Sequence, residues 1–384
     1  MTDISKEVKH HLCTGCAACA MSCHHSAITM QADKRGFMHP IVEKSKCNDC
    51  KLCVNICPQI NIKDNHNDVI AYAAYNLNEK LRLSSSSGGI FTLLAQYVIE
   101  YGGVVYGAAF NEEWKVEHIK AEDIETLNRL RKSKYVQSDP KATYGEAKDD
   151  LNRGRLVLYS GTPCQIAGLK KYLRKNYDNL VCVDFVCHGV PSPALWKKVL
   201  NQICHKRANL ELIDVDFRSK KYGWNNPHIR FIFSDGINEN ELIFKFSEHN
   251  YTRLFDQGIS LRQSCYHCQY RRIEHPSDIT LGDCWHWKEL CPEMNDDKGL
   301  SIIMTQNFKG EEFLRHITPY LKIVKINREF VIKYTETEKA FFTETDGIKE
   351  YNKLNLLLPF NLVAKVANRR TLKQRIISKI KKMI

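Results

Sequence analysis

Eight cysteines lie within residues 13–57 of this 384-residue sequence, in two runs of one form. The first is Cys13-x2-Cys16-x2-Cys19-x3-Cys23; the second is Cys47-x2-Cys50-x2-Cys53-x3-Cys57, followed by Pro58. Two residues between ligands let a tight loop aim successive sulfurs inward. The fourth cysteine starts the next segment and reaches across to the other cluster, as in bacterial two-cluster ferredoxins. The spacing therefore assigns Cys13, Cys16, Cys19 and Cys57 to one 4Fe-4S cluster and Cys47, Cys50, Cys53 and Cys23 to the other. Zinc sites also use four cysteines, but as two separated pairs. At this cysteine frequency, three further cysteines at fixed offsets arise by chance roughly once in 10⁴ per run, and the run occurs twice. His24 stands where a proline often follows the fourth ligand. That proline shapes the turn without binding iron, so the cluster is retained.

The other eight cysteines are Cys164, Cys182, Cys187, Cys204, Cys265, Cys268, Cys284 and Cys291. Strands are predicted over 69–75, 103–110, 156–159, 180–186, 215–218 and 228–233, and helices over 90–100, 165–175 and 193–206. Cys164 and Cys187 then follow two adjacent buried strands, pointing into the crevice where open α/β sheets bind ligands, and Cys265 and Cys268 form a CxxC turn. Cys182 falls inside a strand and Cys204 on a helix, where a small apolar role suits them. The loop Ser84-Ser85-Ser86-Ser87-Gly88-Gly89 precedes the 90–100 helix. Its N–H groups, hydroxyls and dipole end suit a cofactor phosphate, while a plain N-cap loop would have the same composition.

These elements imply an α/β catalytic region, a mixed sheet with flanking helices, preceded by a small α+β ferredoxin domain with two 4Fe-4S sites. The expected divisions are 1–66, 67–150, 151–330 and a basic helical tail at 331–384, with 61–67 as a polar linker. The charge of +12 resides largely in 365–384, which holds eight Lys and Arg and no acid. The body is nearly balanced, which argues against nucleic-acid binding. There is no apolar signal segment and no run long enough for a membrane helix, so a cytoplasmic protein with reduced cysteines is expected. Leu372, Ile376, Ile377, Ile380, Met383 and Ile384 form one stripe of a cationic helix. Such a helix suits either packing on the body or peripheral contact with the inner face of an anionic membrane.

Five segments, GTPCQIAGLKKYL (161–173), CHGVPSPALW (187–196), FRSKKYGW (217–224), CYHCQYRR (265–272) and DITLGDCW (278–285), together closely resemble the family of coenzyme F420 hydrogenase/dehydrogenase beta subunits, and 84–110 resembles its N-terminal region. The resemblance covers about 67–330; Cys284 and His286 depart from the family pattern. It implies an iron–sulfur flavoprotein oxidoreductase. It also implies a third 4Fe-4S cluster on Cys164, Cys187, Cys265 and Cys268, a reading favoured over a set of buried or regulatory thiols. FAD phosphates are expected near Ser86, Ser87, Gly88 and Gly89, and the ring near Lys221, Tyr222 and Trp224. Single electrons would enter from a ferredoxin or reductase, pass through the clusters to FAD, and there reduce, or in reverse oxidise, a small-molecule or lipid-linked substrate in two-electron steps. Bacterial members of the family are associated with surface-polysaccharide synthesis. The alternative is an electron-transfer subunit serving a partner hydrogenase or dehydrogenase and a deazaflavin coenzyme.

Overall fold

The computed structural model describes residues 4–60 and 68–334. The 61–67 linker and the 365–384 stripe lie outside these residues. Among the described residues, no helix is long and apolar enough to cross a membrane.

The doubled cysteine run folds as a doubled structure. Helical turns Ala18–Met21 and Leu52–Asn55 carry Cys19 and Cys53. Each follows a left-handed residue, Ala17 at φ 59° and Lys51 at φ 59°, directly after Cys16 and Cys50. The left-handed step turns the chain sharply enough for successive sulfurs to face one side. It costs a non-glycine residue about 1 kcal/mol, which the surrounding structure must offset. Between the runs, β1 (Ile28–Ala32) and β2 (Met38–Val42) form an antiparallel hairpin.

The body is built on one eight-stranded mixed sheet. Its strands are β3 (Ile70–Asn76), β4 (Val104–Phe110), β5 (Val116–Ala121), β6 (Val157–Ser160), β7 (Leu180–Phe185), β11 (Ile279–Asp283), β12 (Ser301–Thr305) and β13 (Leu321–Ile326). The spatial order is β13-β3-β12-β11-β7-β6-β4-β5. The centre, β11-β7-β6-β4, is parallel, and the flanking strands pair antiparallel. Central parallel strands are covered on both faces, which is why Val157-Leu158-Tyr159 and Val181-Cys182-Val183 are continuous apolar runs rather than alternating ones. Segments 67–150 and 151–330 both contribute strands to this sheet. A separate antiparallel sheet comprises β8 (Glu211–Ser219), β9 (His228–Ser234) and β10 (Glu239–Lys245) in the order β10-β9-β8. It packs with helix Pro193–His205 around Trp196, Phe217 and Phe231.

Helices Ile90–Glu100 and Phe308–Ile317 cover one face of the large sheet. Helices Thr143–Asn152 and Pro163–Leu173 cover the other. Cys16, Ala18 and Ile56 of the ferredoxin module join that second apolar group, so the module is seated on the sheet's helical layer. The β1–β2 hairpin also reaches helix Pro193–His205. The Arg35 carbonyl accepts from Ala194 N–H at 3.1 Å and from the Ser192 hydroxyl at 2.7 Å, and Ser192 Oγ accepts from Leu195 N–H. Pro193 lacks an N–H. The first turn's donors are thus satisfied, one of them by the other module.

Candidate metal centres

Cys13, Cys16, Cys19 and Cys57 line a single cavity of about 240 Å³, together with the backbone from Thr14 to Ala18. The sulfurs interact electrostatically: Cys19 feels Cys16, Cys13 and Cys57, and Cys57 feels Cys13. Burial pushes the Cys16 thiol up to about 12 and Cys19 well above its usual range. Thiols held this way become thiolates only when a metal centre supplies the countercharge. The second set is more open. Cys50 is exposed, and Cys23, Cys47 and Cys53 are half-buried. His25 meets Asn48 at 2.9 Å, which sets the turn after Cys23 against the Cys47–Cys50 loop.

The third set assembles from three separate places. Strand β6 ends at Ser160, and Thr162-Pro163-Cys164 opens helix Pro163–Leu173. The Thr162 N–H donates to Gln165 Oε1, and the Thr162 hydroxyl lies 3.1 Å from Cys164 Sγ. Cys187 follows β7, the parallel neighbour of β6. Cys265 sits in the short helix Gln263–His267, and Cys268 ends it. Gly189, at φ 130°, brings the two loops together: a β-carbon there would lie 2.7 Å from Leu261 and 3.3 Å from Cys265 Cβ. Val190 N–H points at Cys265 Sγ, 3.5 Å away. Burial raises all four thiols, Cys164, Cys265 and Cys268 to about 11. Cys187 is raised further by Cys265, Cys164 and Cys268 together, so the four thiols act on one another. Among the described residues, no three cysteine sulfurs come within 4.8 Å of one another, the grouping a single ion needs. Sulfurs around a cubane stand ~6–7 Å apart. Cys182 is buried inside β7, and Cys204 is half-buried on its helix.

The first and third sets adjoin. A β-carbon on Gly168 would lie 2.9 Å from Cys16 Cβ and 3.0 Å from its sulfur. Gly168 is on the helix that begins beside Cys164, and the two thiols interact electrostatically. Tyr270, 8% exposed, interacts with Cys16, Cys164 and Cys268 at once.

Sequence reasoning missed Arg262. It is 2% exposed and ties the modules together. Nε donates to Cys13 O at 2.7 Å, Nη1 to Gln137 Oε1 at 2.9 Å and Nη2 to Met38 O at 2.9 Å, and the guanidinium lies over Phe37. Gln137 Nε2 in turn donates to Thr14 O. None of these partners is a carboxylate, while Cys164 and Cys265 both feel the Arg262 charge. A single basic residue three positions before a CxxC carries no distinctive sequence signal. His10, Asp33 and His39 also group within 4.8 Å. Arg262 stands 3.4 Å from the His39 ring, which opposes a cation there.

The Ser-Gly loop packs against the start of β12. Ser86 Oγ accepts from Ser133 N–H, Ser87 Oγ donates to Leu300 O, and Gly88 N–H donates to Ser301 Oγ. The hydroxyls singled out for a phosphate are therefore engaged within the chain. Gly88 is pressed against Ala74 O, and Gly89 is left-handed at φ 83°. Lys220 Nζ donates to the carbonyls of Arg82, Ser87 and Lys298 at 2.6–2.8 Å, and burial pulls it down to about 7. In the neighbouring loop Lys221 pairs with Glu241, Tyr222 is exposed, and Trp224 is buried and stacked on Trp285 at 4.6 Å. Arg218 lies over Trp285. Arg218 and Asp283 form an ion pair at 3.8 Å, and four buried polar atoms here still have no hydrogen-bond partner: Arg218 Nε and Nη2, Trp224 Nε1 and Asp283 Oδ1. Such a set is costly unless a polar ligand completes it. A flavin, apolar in its ring and polar along one edge, fits these residues.

Known proteins share parts of this chain. Residues 154–329 match the family described as the C terminus of the coenzyme F420 hydrogenase/dehydrogenase beta subunit, and residues 12–60 match the 4Fe-4S dicluster domain. The chain is 22% identical over 236 residues to a subunit of the F420H2 dehydrogenase of Methanosarcina mazei, covering 57% of this chain and 65% of that protein. It is 24% identical over 176 residues to the coenzyme F420-dependent sulfite reductase of Methanocaldococcus jannaschii, covering 44% of this chain and 26% of that protein. It thus spans just under two thirds of the first relative and about a quarter of the second. Among solved structures, a chain of the xenon-derivatized F420-reducing NiFe hydrogenase complex of Methanosarcina barkeri superposes with a TM-score of 0.47 at 14% identity, covering 84% of this chain and 96% of that one.

Proposed function

From the premise that this chain belongs to the family of coenzyme F420 hydrogenase/dehydrogenase beta subunits and carries an N-terminal 4Fe-4S dicluster domain, we propose that it is the iron–sulfur electron-transfer subunit of a redox complex, exchanging electrons with a partner dehydrogenase or hydrogenase and a deazaflavin coenzyme. One observation carries the reading: Cys16 of the ferredoxin module is seated against the helix that begins beside Cys164 of the body. Two candidate cluster sites encoded more than 100 residues apart are thereby neighbours.

Cys13, Cys16, Cys19 and Cys57 would hold one 4Fe-4S cluster, Cys47, Cys50, Cys53 and Cys23 a second, and Cys164, Cys187, Cys265 and Cys268 a third. Such clusters supply one-electron transfer, and FAD supplies the exchange between one- and two-electron chemistry. The chain's own residues position and insulate. Gly168 permits the close approach of Cys16, Tyr270 closes the space among Cys16, Cys164 and Cys268, and Arg262 fixes the Cys13 loop while bringing a cation to the third set. Arg218, Trp224 and Asp283 present buried polar atoms without hydrogen-bond partners, which favour FAD in this chain, with Lys220 holding the Ser87 turn. That crevice supports a second reading, in which substrate is reduced or oxidised on this chain itself.

Anaerobic purification with iron, sulfide and flavin counts is the test. About twelve irons and one FAD per chain, with cluster bleaching by reduced deazaflavin coenzyme, are expected. About eight irons would remove the third set, and absence of flavin would remove the crevice assignment. Bleaching by every reductant except the deazaflavin would leave the second reading in its place.

A further inference from the structure

Two cysteines outside all three ligand sets face each other. Cys284 and Cys291 are 0% and 2% exposed, lie in one apolar group, and each thiol is the other's strongest titrating neighbour. Each is anchored through its own backbone. Cys284 N–H donates to Leu300 O at 2.9 Å, and Cys291 N–H donates to Trp287 O at 2.8 Å, closing the helical turn Trp287–Leu290 between them. Their place in the sheet is informative. Cys284 directly follows β11, whose parallel neighbour is β7, with Leu281 opposite Phe185. Val186 N–H donates to Leu281 O at 2.8 Å, and Val186 packs in the same apolar group as both thiols. The next residue is Cys187. On the other side the group contains Trp224, beside the unpartnered atoms of Arg218 and Asp283.

We propose that Cys284 and Cys291 form a reversible dithiol/disulfide site that stores two electrons at the inner end of the iron–sulfur relay. The proposal rests on the relay reading given above. In the oxidising direction the two S–H bonds break and one S–S bond forms. The two electrons go to two oxidised 4Fe-4S centres, one each, and two protons are released. Asp283, adjoining Cys284 and carrying the unpartnered Oδ1, offers one proton an acceptor, and water takes the other. The reverse consumes two reduced centres and two protons. The interaction between the two thiols raises Cys284 and lowers Cys291, so Cys291 is the first sulfur to deprotonate. Burial excludes bulky thiols from both sulfurs, so the pair exchanges electrons through the fold rather than by thiol–disulfide exchange with a partner. A two-electron store beside one-electron carriers would let the chain meet a two-electron substrate without flavin being the sole gate.

The test counts reducing equivalents in anaerobic holoprotein. Wild type, oxidised with mediator dyes, is titrated with dithionite while cluster absorbance is followed. Samples are then acid-quenched, alkylated and mapped by mass spectrometry without reduction. A disulfide linking the Cys284 and Cys291 peptides in the oxidised sample and two alkylated cysteines in the reduced one are expected. Cys291→Ser, at equal iron content, should take up two fewer equivalents. Absence of the linked peptide, or equal equivalents in both proteins, overturns the proposal. Peptide mapping needs only wild type, so poor folding of the variant leaves the proposal exposed to refutation; Cys284→Ala gives a second count. If clusters bleach in neither protein, the relay itself has failed and the store falls with it.

Discussion

Replacing Arg262 by methionine removes a buried cation while keeping the stem that covers Phe37. Its charge is felt by Cys164 and Cys265, and no carboxylate is among its hydrogen-bond partners. Reduction adds one negative charge to a cluster, and a nearby cation stabilises that charge. At a separation of roughly 7 Å and an effective dielectric of about 20, the term is about 2–3 kcal/mol. One electron is worth about 2.3 kcal/mol per 100 mV, so Arg262→Met should lower the potential of the Cys164 cluster by about 100 mV. The more open set around Cys50 should move far less. Arg262→Lys keeps the charge and loses the three-way fork, so its potential should stay within about 30 mV of wild type while the Cys13 loop loosens. Anaerobic redox titration followed by low-temperature electron paramagnetic resonance reads all three proteins. A shift below about 20 mV, or one toward positive potential, would refute the reasoning. It would mean that water, rather than Arg262, sets the field at the third cluster.

Other outcomes follow from the same geometry. Gly15 is left-handed at φ 71°, and a β-carbon would fall 2.8 Å from Arg262 Nη1 and 2.9 Å from Met38 O, so Gly15→Ala should cost about 2–3 kcal/mol in anaerobic urea unfolding. Cys57→Ser should remove about four irons and leave the Cys164 cluster spectrum intact; loss of every cluster from a chain that stays folded by circular dichroism would contradict the crossed ligand sets. Ser87→Glu places charge and bulk against Leu300 O and Gly299, and should abolish flavin retention; a yellow variant with normal stoichiometry rejects the crevice. Burial holds His118 down to about 4, with Nε2 donating to Ser160 O and Nδ1 accepting from Ser138. The unfolded imidazole protonates near 6.5, so stability is complete above that pH and falls as pH drops towards 4, by about 2 kcal/mol at pH 5. His118→Gln should flatten this part of the pH profile, and an unchanged slope would exclude His118 as its source.

Local signals carried much of this architecture. The 90–100 helix and the strands over 180–186 and 228–233 appear within a residue of expectation, because apolar periodicity and flanking Gly, Pro and Ser residues fix them locally. The 215–218 strand begins earlier, at Glu211, because its pairing with β9 continues across an irregularity between Leu212 and Asp214 that interrupts the apolar alternation. The helix predicted over 165–175 begins at Pro163, since proline is favoured in a first turn. The strand order was not legible. β3 lies between β12 and β13, more than 220 residues away in sequence, and only the finished core selects that pairing. The same holds for the site. Ligand spacing is local, whereas Arg262, Gln137 and Gly168 matter through contacts made across modules. The Ser-Gly loop shows the opposite limit: its composition suggested free hydroxyls, but Ser133, Leu300 and Ser301 engage the loop from distant segments.

The hairpin carbonyl that completes the first turn of helix Pro193–His205 bears on how the protein is made. Arg35 O is offered by a module with little apolar core, whose shape depends on iron. Iron delivery is thereby placed upstream of finishing the body. A chain synthesised during iron scarcity would carry an undercapped helix, worth about 1 kcal/mol, as well as an undocked Arg262. It would expose that region to quality-control proteases, whereas a chain that has received its iron closes it. Faster amide exchange at Ala194 in the iron-free chain than in the loaded one would record this order of maturation directly.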